Sequence, residues 1–296
     1  MSDTKTTSTI EFSRGRGSAQ CASHIVAVGG GKGGVGKSFV SSNLAIFLSN
    51  MGYKTILLDL DLGAANAHTT MGEGQPKLGV NDFITGKVSS LEQAAVGTRF
   101  SGLRIISGCN DDLEIANLDP QTRSHLMSSI CALPSDFIVL DLSAGTHQST
   151  IDFFLMAQSH LVVLTPEPSS IENAYRFMKA CYFRRIKRFE RQLGLHELIE
   201  NIMANKEALN IRSPNDLMAE ILKKDPSRGR QLLEHLHSLS FKIVLNQTRT
   251  YKDIDIGESV KSVCNKFFGL DAAFIGHLDY DNAVWQSLRK HKPLLL

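Results

Sequence analysis

Seven short runs of aliphatic residues recur along the chain, and each run is continuously apolar rather than alternately apolar and polar. Strands that are buried on both faces have this pattern, which is typical of a mainly parallel sheet covered by helices on each side. The chain is therefore predicted to form an α/β fold, a doubly wound, mainly parallel sheet flanked by helices. The predicted strands are HIVAVGG, KTILLDLD, LRIIS, DFIVLDLS, HLVVLT, FKIVLN and AFIGHL.

Segments with a helical apolar period separate these runs and can serve as crossovers between parallel strands. One separation, between the strand ending near Thr165 and the strand beginning at Phe241, is longer than a single crossover needs. Within it, Ser213, Pro214 and Asp216 have the order of an N-cap, a first-turn proline and an acidic first turn. We therefore expect a helical insertion over about 194–240. The other predicted helices are 37–52, 121–132, 149–157, 170–192, 256–268 and 281–290.

Composition excludes several classes of protein. Apolar residues make up 42% of the chain and charged residues 21%, which excludes a disordered chain. No apolar run approaches the roughly 18–20 residues of a membrane span. A net charge of +2 gives no general affinity for nucleic acid, so DNA is an unexpected partner. Residues 1–22 lack a hydrophobic period and are predicted to form a flexible N-terminal arm, followed by one domain over 23–296.

The cysteines show no C-x-x-C pair, and the chain has no recognisable signal peptide. We therefore expect reduced thiols in a cytoplasmic protein and disfavour an iron–sulfur or zinc site. The five cysteines are Cys21, Cys109, Cys131, Cys181 and Cys264.

A glycine-rich loop lies between the first predicted strand and the first predicted helix. Gly31, Gly36, Lys37 and Ser38 satisfy G-x-x-x-x-G-K-[ST] in the strand–loop–helix context that a phosphate loop requires. Glycines let the backbone N–H groups surround a phosphate, and the helix N-terminus adds a positive dipole end. Lys37 is expected to reach the β- and γ-phosphates, and Ser38 to coordinate Mg²⁺. The predicted nucleotide-binding residues of the loop are Gly31, Gly33, Gly34, Val35, Gly36, Lys37, Ser38 and Phe39.

A dinucleotide-binding turn is the rival interpretation of the same glycines. Gly29, Gly31 and Gly34 also fit G-x-G-x-x-G, and Asp59 at the end of the second strand could serve as the ribose-binding acid. A dinucleotide site has no need for Lys37 followed by Ser38, so the phosphate loop is favoured.

Lys32 distinguishes this loop from an ordinary one, because K-G-G-V-G-K-S resembles the deviant Walker A motif of the MinD/ParA (SIMIBI) ATPases. The resemblance implies that Lys32 crosses a dimer interface to the partner's nucleotide. DLDLGAANAHTTMG and DFIVLDLSAG are similar to the switch I and Walker B segments of the family. By this resemblance Asp61 positions the attacking water, while Asp59 and Asp141 belong to the magnesium site.

Further segments extend the resemblance from about His24 to Pro293. TPEPSSIENAYRF is similar to a T/N-P-E-x-x-S-I-x-D-A segment, and VLNQ to a strand end whose Asn, here Asn246, reads the adenine edge. GHLDYDNAVWQSL resembles a G-x-I-P-x-D-x-x-V segment beside the base, which places Leu278, Asp279 and Asp281 there. Asp279 replaces the proline of that segment, which weakens the expected packing against adenine.

The resemblance is closest to the FlhG/FleN (YlxH) branch of MinD-like regulators. It implies an Mg-ATP-dependent switch ATPase that forms an ATP-dependent homodimer, binds a protein activator or cargo and controls flagellar number or placement. Peripheral association with the inner membrane is also implied, although neither an N-terminal D-Q-A-x-x-L-R element nor an amphipathic C-terminal helix is found. Division-site or cargo positioning is one alternative, and an ATP-dependent amidoligase of the cobyrinate or dethiobiotin synthase type is another.

The segment 176–194 is strongly basic. Anionic lipid, DNA phosphates or an acidic partner could bind it. A solvated helix face whose cations pair with Glu197, Glu200 and Glu207 is the simpler interpretation. The cations are Arg176, Lys179, Arg184, Arg185, Lys187, Arg188 and Arg191.

Overall fold

The computed structural model describes residues 21–62, 65–108 and 118–294. All but the last two residues of the predicted N-terminal arm lie outside the described residues.

The described strands form one eight-stranded sheet, in the spatial order β3-β4-β2-β5-β1-β6-β7-β8. All seven predicted strands are confirmed. The additional strand, β3, contains two exposed residues and pairs antiparallel with β4, whereas every other pairing is parallel. The strands are β1 His24–Gly29, β2 Thr55–Leu60, β3 Val96–Gly97, β4 Leu103–Ile106, β5 Phe137–Leu142, β6 Ser159–Leu164, β7 Phe241–Thr248 and β8 Ala272–Asp279.

The predicted helices are found with small shifts of their ends. The largest shift is in α10, which begins at Tyr251 because the Asp253 carboxylate accepts hydrogen bonds from the backbone N–H groups of Arg249 and Thr250. The helices are α1 Lys37–Asn50, α2 Ala67–Thr70, α3 Val80–Ile84, α4 Pro120–Cys131, α5 Gln148–Met156, α6 Pro168–Glu190, α7 His196–Ala204, α8 Pro214–Lys224, α9 Pro226–His237, α10 Tyr251–Phe268 and α11 Asn282–Arg289.

The sheet has an apolar layer on each face, which explains the continuous apolar runs. In β1, Ile25 and Ala27 enter the larger apolar cluster, while Val26 and Val28 enter the smaller one beneath α1. The larger cluster also contains residues of α7, α8 and α9, so the helices of the 194–240 segment share a core with the sheet. Ser213 caps α8 as predicted, since its hydroxyl accepts from the N–H of Asp216.

The prediction of reduced thiols is wrong for two cysteines. Cys21 and Cys131 form a disulfide across a sequence separation of 110 residues. They meet because β1 lies beside β5, so the residues before β1 lie beside the end of α4. Ser23 reinforces this junction by donating its hydroxyl to the carbonyl of Ser135 at 2.6 Å. Cys181 and Cys264 are buried free thiols, and Cys109 lies outside the described residues.

The basic segment forms most of α6, but its cations do not pair with the acids of the 194–240 segment in the described part of the chain. Arg184 instead makes two 2.8 Å contacts with Asp152, and Arg176 pairs with Glu172. Arg185 donates to the carbonyl of His235. Within the segment 176–194, the exposed cations that make no ion pair with the described residues are Lys179, Lys187, Arg188 and Arg191.

In the part of the chain that the structure describes, no helix combines the length and the apolar character that crossing a bilayer would require.

A buried histidine makes stability depend on pH. His160 in β6 packs against Phe154, with 5.2 Å between the ring centroids, and its buried Nε2 has no hydrogen-bond partner among the described residues. Burial, together with the positive charges of Arg185 and Lys242, lowers the pKa of His160 to about 3, although a hydrogen bond to Ser240 opposes the shift. The unfolded chain therefore binds a proton between about pH 6.5 and 3 that the folded protein excludes.

We expect the free energy of unfolding to fall as pH falls through this window, because His160 contributes about 1 kcal/mol per pH unit between pH 6 and 4. Urea unfolding at several pH values should show a shallower fall for His160→Phe than for the wild type. The exposed His125→Phe variant is the matched control. Equal pH slopes for wild type and His160→Phe would contradict the assignment.

Candidate phosphate-binding site

The loop between β1 and α1 needs glycine at several positions because neighbouring backbone approaches it closely. A Cβ on Gly31 would lie 1.9 Å from the carbonyl oxygen of Asn173 in α6, and one on Gly30 would lie 2.7 Å from the carbonyl oxygen of Val163. Gly36 has φ +95° and is the N-cap of α1. The fold therefore holds the loop close to the carboxyl ends of β1 and β6.

The N-terminus of α1 carries no side-chain cap, and its first turn contains no acidic residue. The first N–H groups of a helix have no partner within the helix, and the helix dipole favours an anion at this end. The first turn, which begins at Lys37 and Ser38, is therefore suited to a phosphate group.

Lys37 places a buried cation beneath the loop. Its residue is only 8% exposed, and Nζ lies 3.5 Å from the carbonyl oxygen of Lys32. Burial lowers the pKa of Lys37, whereas the carboxylates of Asp141 and Asp61 raise it. The structure thus brings together the predicted phosphate-binding lysine and two of the predicted carboxylates.

Asp141, at the end of β5, is paired with Asp59 of β2 in the sheet register. Both carboxylate oxygens of Asp141 are buried and make no hydrogen bond of standard geometry with the described residues. Burial raises the pKa of Asp141, while the nearby hydroxyls of Ser38 and Ser41 and the charge of Lys37 lower it. An unpartnered buried carboxylate of this kind is unfavourable unless a cation or water satisfies it.

The donor set fits Mg²⁺. No three His, Cys, Asp or Glu side chains in the described ranges are grouped closely enough to hold a metal by themselves. Mg²⁺ usually keeps several waters and binds through one or two carboxylates together with substrate phosphates. Ser38, Asp59 and Asp141, next to a phosphate loop, are the residues that would hold it.

Asp59 organises the segment that follows β2. Its Oδ1 accepts from the backbone N–H of Asp61 and its Oδ2 from that of Ala67, both at 3.0 Å. Burial and the charge of Asp141 raise the pKa of Asp59, although these N–H groups oppose the shift. Asp59 therefore connects the site to both ends of the 61–67 segment and positions Asp61, the predicted water-orienting acid.

Lys32 is held within its own chain. Its Nζ lies 2.6 Å from Oε2 of Glu167 and 3.0 Å from the hydroxyl of Ser169, at the N-terminus of α6. The similarity of TPEPSSIENAYRF to the family segment assigned no role to Glu167 or Ser169. Their only local signal is a glutamate and a serine close to a helix start, which does not identify the lysine they contact.

The residues predicted near the base lie at the ends of β7 and β8. Asn246 is buried and donates its side-chain Nδ2 to the backbone carbonyl of Val35 at 2.8 Å. Asp279, which replaces the expected proline, accepts a 2.6 Å hydrogen bond from the hydroxyl of Thr248 and so joins the two strand ends. Leu278 is 38% exposed.

Asp281 caps the start of α11 by accepting from the N–H of Ala283. Nearby, the Arg249 guanidinium lies 4.3 Å from the centroid of the Tyr280 ring, a contact that no sequence motif predicted. This end of the sheet is therefore bounded by a cation–aromatic pair as well as by the predicted residues.

A parallel sheet with a glycine loop, a Lys-Ser pair opening α1 and two paired strand-end aspartates defines a P-loop NTPase of the MinD/ParA type. The chain belongs to the ParA family, whose profile, described as the NUBPL iron-transfer P-loop NTPase, matches residues 21–205. The predicted α/β fold and the predicted family are both confirmed.

Three relatives illustrate the range of the family. The antiactivator FleN of Pseudomonas aeruginosa is 36% identical over 157 residues, which cover 52% of this chain and 55% of FleN. The flagellum site-determining protein YlxH of Helicobacter pylori is 32% identical over 52% of each chain. The Mg-ADP complex of septum site-determining protein MinD from Pyrococcus horikoshii superimposes with a TM-score of 0.60 at 21% identity, over 92% of this chain and 87% of MinD. The chain spans about half the length of the two flagellar relatives.

Proposed function

We propose that the chain is an Mg-ATP-dependent ATPase that dimerises with ATP bound and regulates the number or placement of flagella. The observation that carries the ATPase proposal is the buried Lys37 near the Asp141 carboxylate, which has no hydrogen-bond partner among the described residues, at a helix N-terminus without a side-chain cap. The similarity to FleN and YlxH supports the flagellar process.

The chain's own groups supply most of the charge that phosphoryl transfer requires. Catalysis of this reaction depends on positioning and on stabilising charge at the phosphate oxygens. Lys37 and the N–H groups of the loop bind those oxygens, and Asp61, held by Asp59, orients the attacking water. Ser38, Asp59 and Asp141 would hold Mg²⁺, which would supply further positive charge to offset that of the phosphate oxygens. Lys32 provides a further cation once it leaves Glu167.

We place an arm at 1–22 and one ATPase domain at 23–296 that includes the 194–240 helices. The protein acts in the cytoplasm, peripherally at the inner membrane, with a protein activator or cargo as partner. Resemblance to FlhG and MinD supports this arrangement.

Asp61→Ala tests hydrolysis separately from binding. We expect the variant to bind ATP and to accumulate as a dimer, with phosphate release reduced about 100-fold or more, because the water is misplaced while the phosphate contacts persist. Phosphate release and light scattering with Mg-ATP provide the two measurements.

Asp136→Ala is the matched control, since Asp136 directly precedes β5, at the end of the strand away from the site. There its carboxylate accepts a hydrogen bond from the N–H of Lys54. This control should hydrolyse ATP normally. A normal rate for Asp61→Ala would show that Asp61 only ends the strand.

The proposed regulation of flagella requires a test in cells. Deleting the gene in its own organism should change the number or position of flagella seen by electron microscopy, and the wild-type gene should restore them. Minicells or misplaced septa with normal flagella would favour division-site positioning instead.

A further inference from the structure

One hydrogen bond joins the end of β7 to the phosphate loop. Asn246 donates Nδ2 to the backbone carbonyl of Val35 at 2.8 Å, across a sequence separation of 211 residues. Both residues are buried, with exposures of 6% for Asn246 and 2% for Val35. A bond that is shielded from water in this way is not readily exchanged for a bond to solvent.

The phosphate loop leaves space for the side-chain amide of Asn246. Gly36 follows Val35 directly, and a Cβ at Gly36 would lie 2.1 Å from Nδ2 of Asn246. Gly36 also has φ +95°, which a residue with a side chain rarely adopts. Both its conformation and the space beside it therefore depend on glycine, and Asn246 occupies that space.

The Asn246 side chain is itself fixed by an irregular strand end. The next residue, Gln247, has φ +61°, a rare left-handed conformation for a residue other than glycine. The pairing of β7 with β8 changes register between Asn246 and Thr248, and the Thr248 hydroxyl bonds to Asp279. The strand end thus directs Asn246 towards the loop while β8 holds it in place.

We propose that Asn246 is a positioning residue that sets the curvature of the phosphate loop before any nucleotide binds. By holding the Val35 carbonyl, it fixes the peptide at the start of α1, so that the loop N–H groups already face the phosphate position. Preorganised donors bind an anion more tightly because no ordering cost remains. This proposal rests on the proposed nucleotide site. It assigns Asn246 an effect on phosphate binding, in addition to the contact with the adenine edge that the resemblance implies.

A ligand without a base separates the two roles. Magnesium tripolyphosphate contains the phosphate chain but no adenine, so a residue that only reads the base cannot affect its binding. Isothermal titration calorimetry should show that Asn246→Leu weakens tripolyphosphate and ATP by the same factor, about fivefold to tenfold, as expected for one lost buried hydrogen bond. Leucine keeps the size of the side chain and adds no charge.

Asn265→Leu is the matched control, because Asn265 also bonds to backbone, accepting from the N–H of Ala272, far along the chain from the loop. It should bind both ligands normally. Asn246→Ser, which is smaller and also uncharged, should repeat the loss if Asn246→Leu folds poorly.

Loss of ATP affinity with unchanged tripolyphosphate affinity would overturn the proposal and leave Asn246 as a reader of the base. Wild-type affinity for both ligands in Asn246→Leu and Asn246→Ser would also overturn it. Failure of the wild-type protein to bind either ligand would instead overturn the nucleotide site itself, and with it this proposal.

Discussion

Lys37→Ala is expected to abolish nucleotide binding, with an affinity loss of about 100-fold or more. Charge-assisted hydrogen bonds are the strongest that a loop of this kind makes, and each is worth about 1.5–3 kcal/mol. Lys37 makes its contacts in a buried position where water cannot replace it. Its removal also takes away a positive charge that interacts with the carboxylates of Asp141 and Asp61.

Titration with a fluorescent ATP analogue measures the affinity, and circular dichroism shows whether the variant is folded. Lys54→Ala is a suitable control, because Lys54 is exposed and lies just before β2, at the other edge of the sheet. Nucleotide affinity equal to that of the wild type in Lys37→Ala would remove the phosphate-loop assignment.

Lys32→Ala is expected to retain ATP binding by the monomer but to lose the ATP-dependent dimer and nearly all hydrolysis. Two nucleotide-loaded faces bring their negative charges together, and a lysine contributed from each side would offset that repulsion. Light scattering with ATP on an Asp61→Ala background, which prevents turnover, isolates the dimerisation step. If the double variant with Lys32→Ala and Asp61→Ala dimerises as readily as Asp61→Ala alone, Lys32 is an ordinary surface lysine.

Glu167→Gln is expected to have the opposite effect on dimerisation, because it frees Lys32 instead of removing it. In the single chain, Lys32 must leave Glu167 and Ser169 before it can reach a partner. The pair is partly exposed, so its loss should be worth about 0.2–1 kcal/mol in each protomer. Because a dimer breaks two such pairs, the protein concentration needed for dimerisation should fall by up to about 30-fold. Weaker dimerisation of Glu167→Gln would show that Glu167 supports the dimer instead of restraining Lys32.

Local patterns predicted most of the fold. Continuous apolar runs identified six of the longer strands because these strands are largely buried on both faces, and they identified β8 although this edge strand is mostly exposed. The loop motif placed Lys37 and Ser38 correctly at the start of α1. The two-residue strand β3 was missed because both its residues are exposed and carry no apolar pattern. The early start of α10 was missed because it depends on the cap formed by Asp253.

Contacts between distant parts of the chain could not be predicted in the same way. The Cys21–Cys131 disulfide, the Lys32–Glu167 ion pair and the bond from Asn246 to Val35 each join residues more than 100 positions apart. Such contacts follow from strand order, which a single sequence does not specify. The roles predicted for Asp61, Asp141 and the residues near the base stay predictions until the variants are measured.

The central position of β1 has a consequence for synthesis on the ribosome. β1 leaves the ribosome first but lies between β5 and β6, so its neighbours on both sides are made more than 100 residues later. At about 5–20 residues per second, roughly 10–40 s pass between the appearance of the loop and that of Asn246. Nucleotide can stabilise only a chain that already binds it. The complete nucleotide site, with Asn246 against the loop, therefore forms only after most of the sheet has been synthesised.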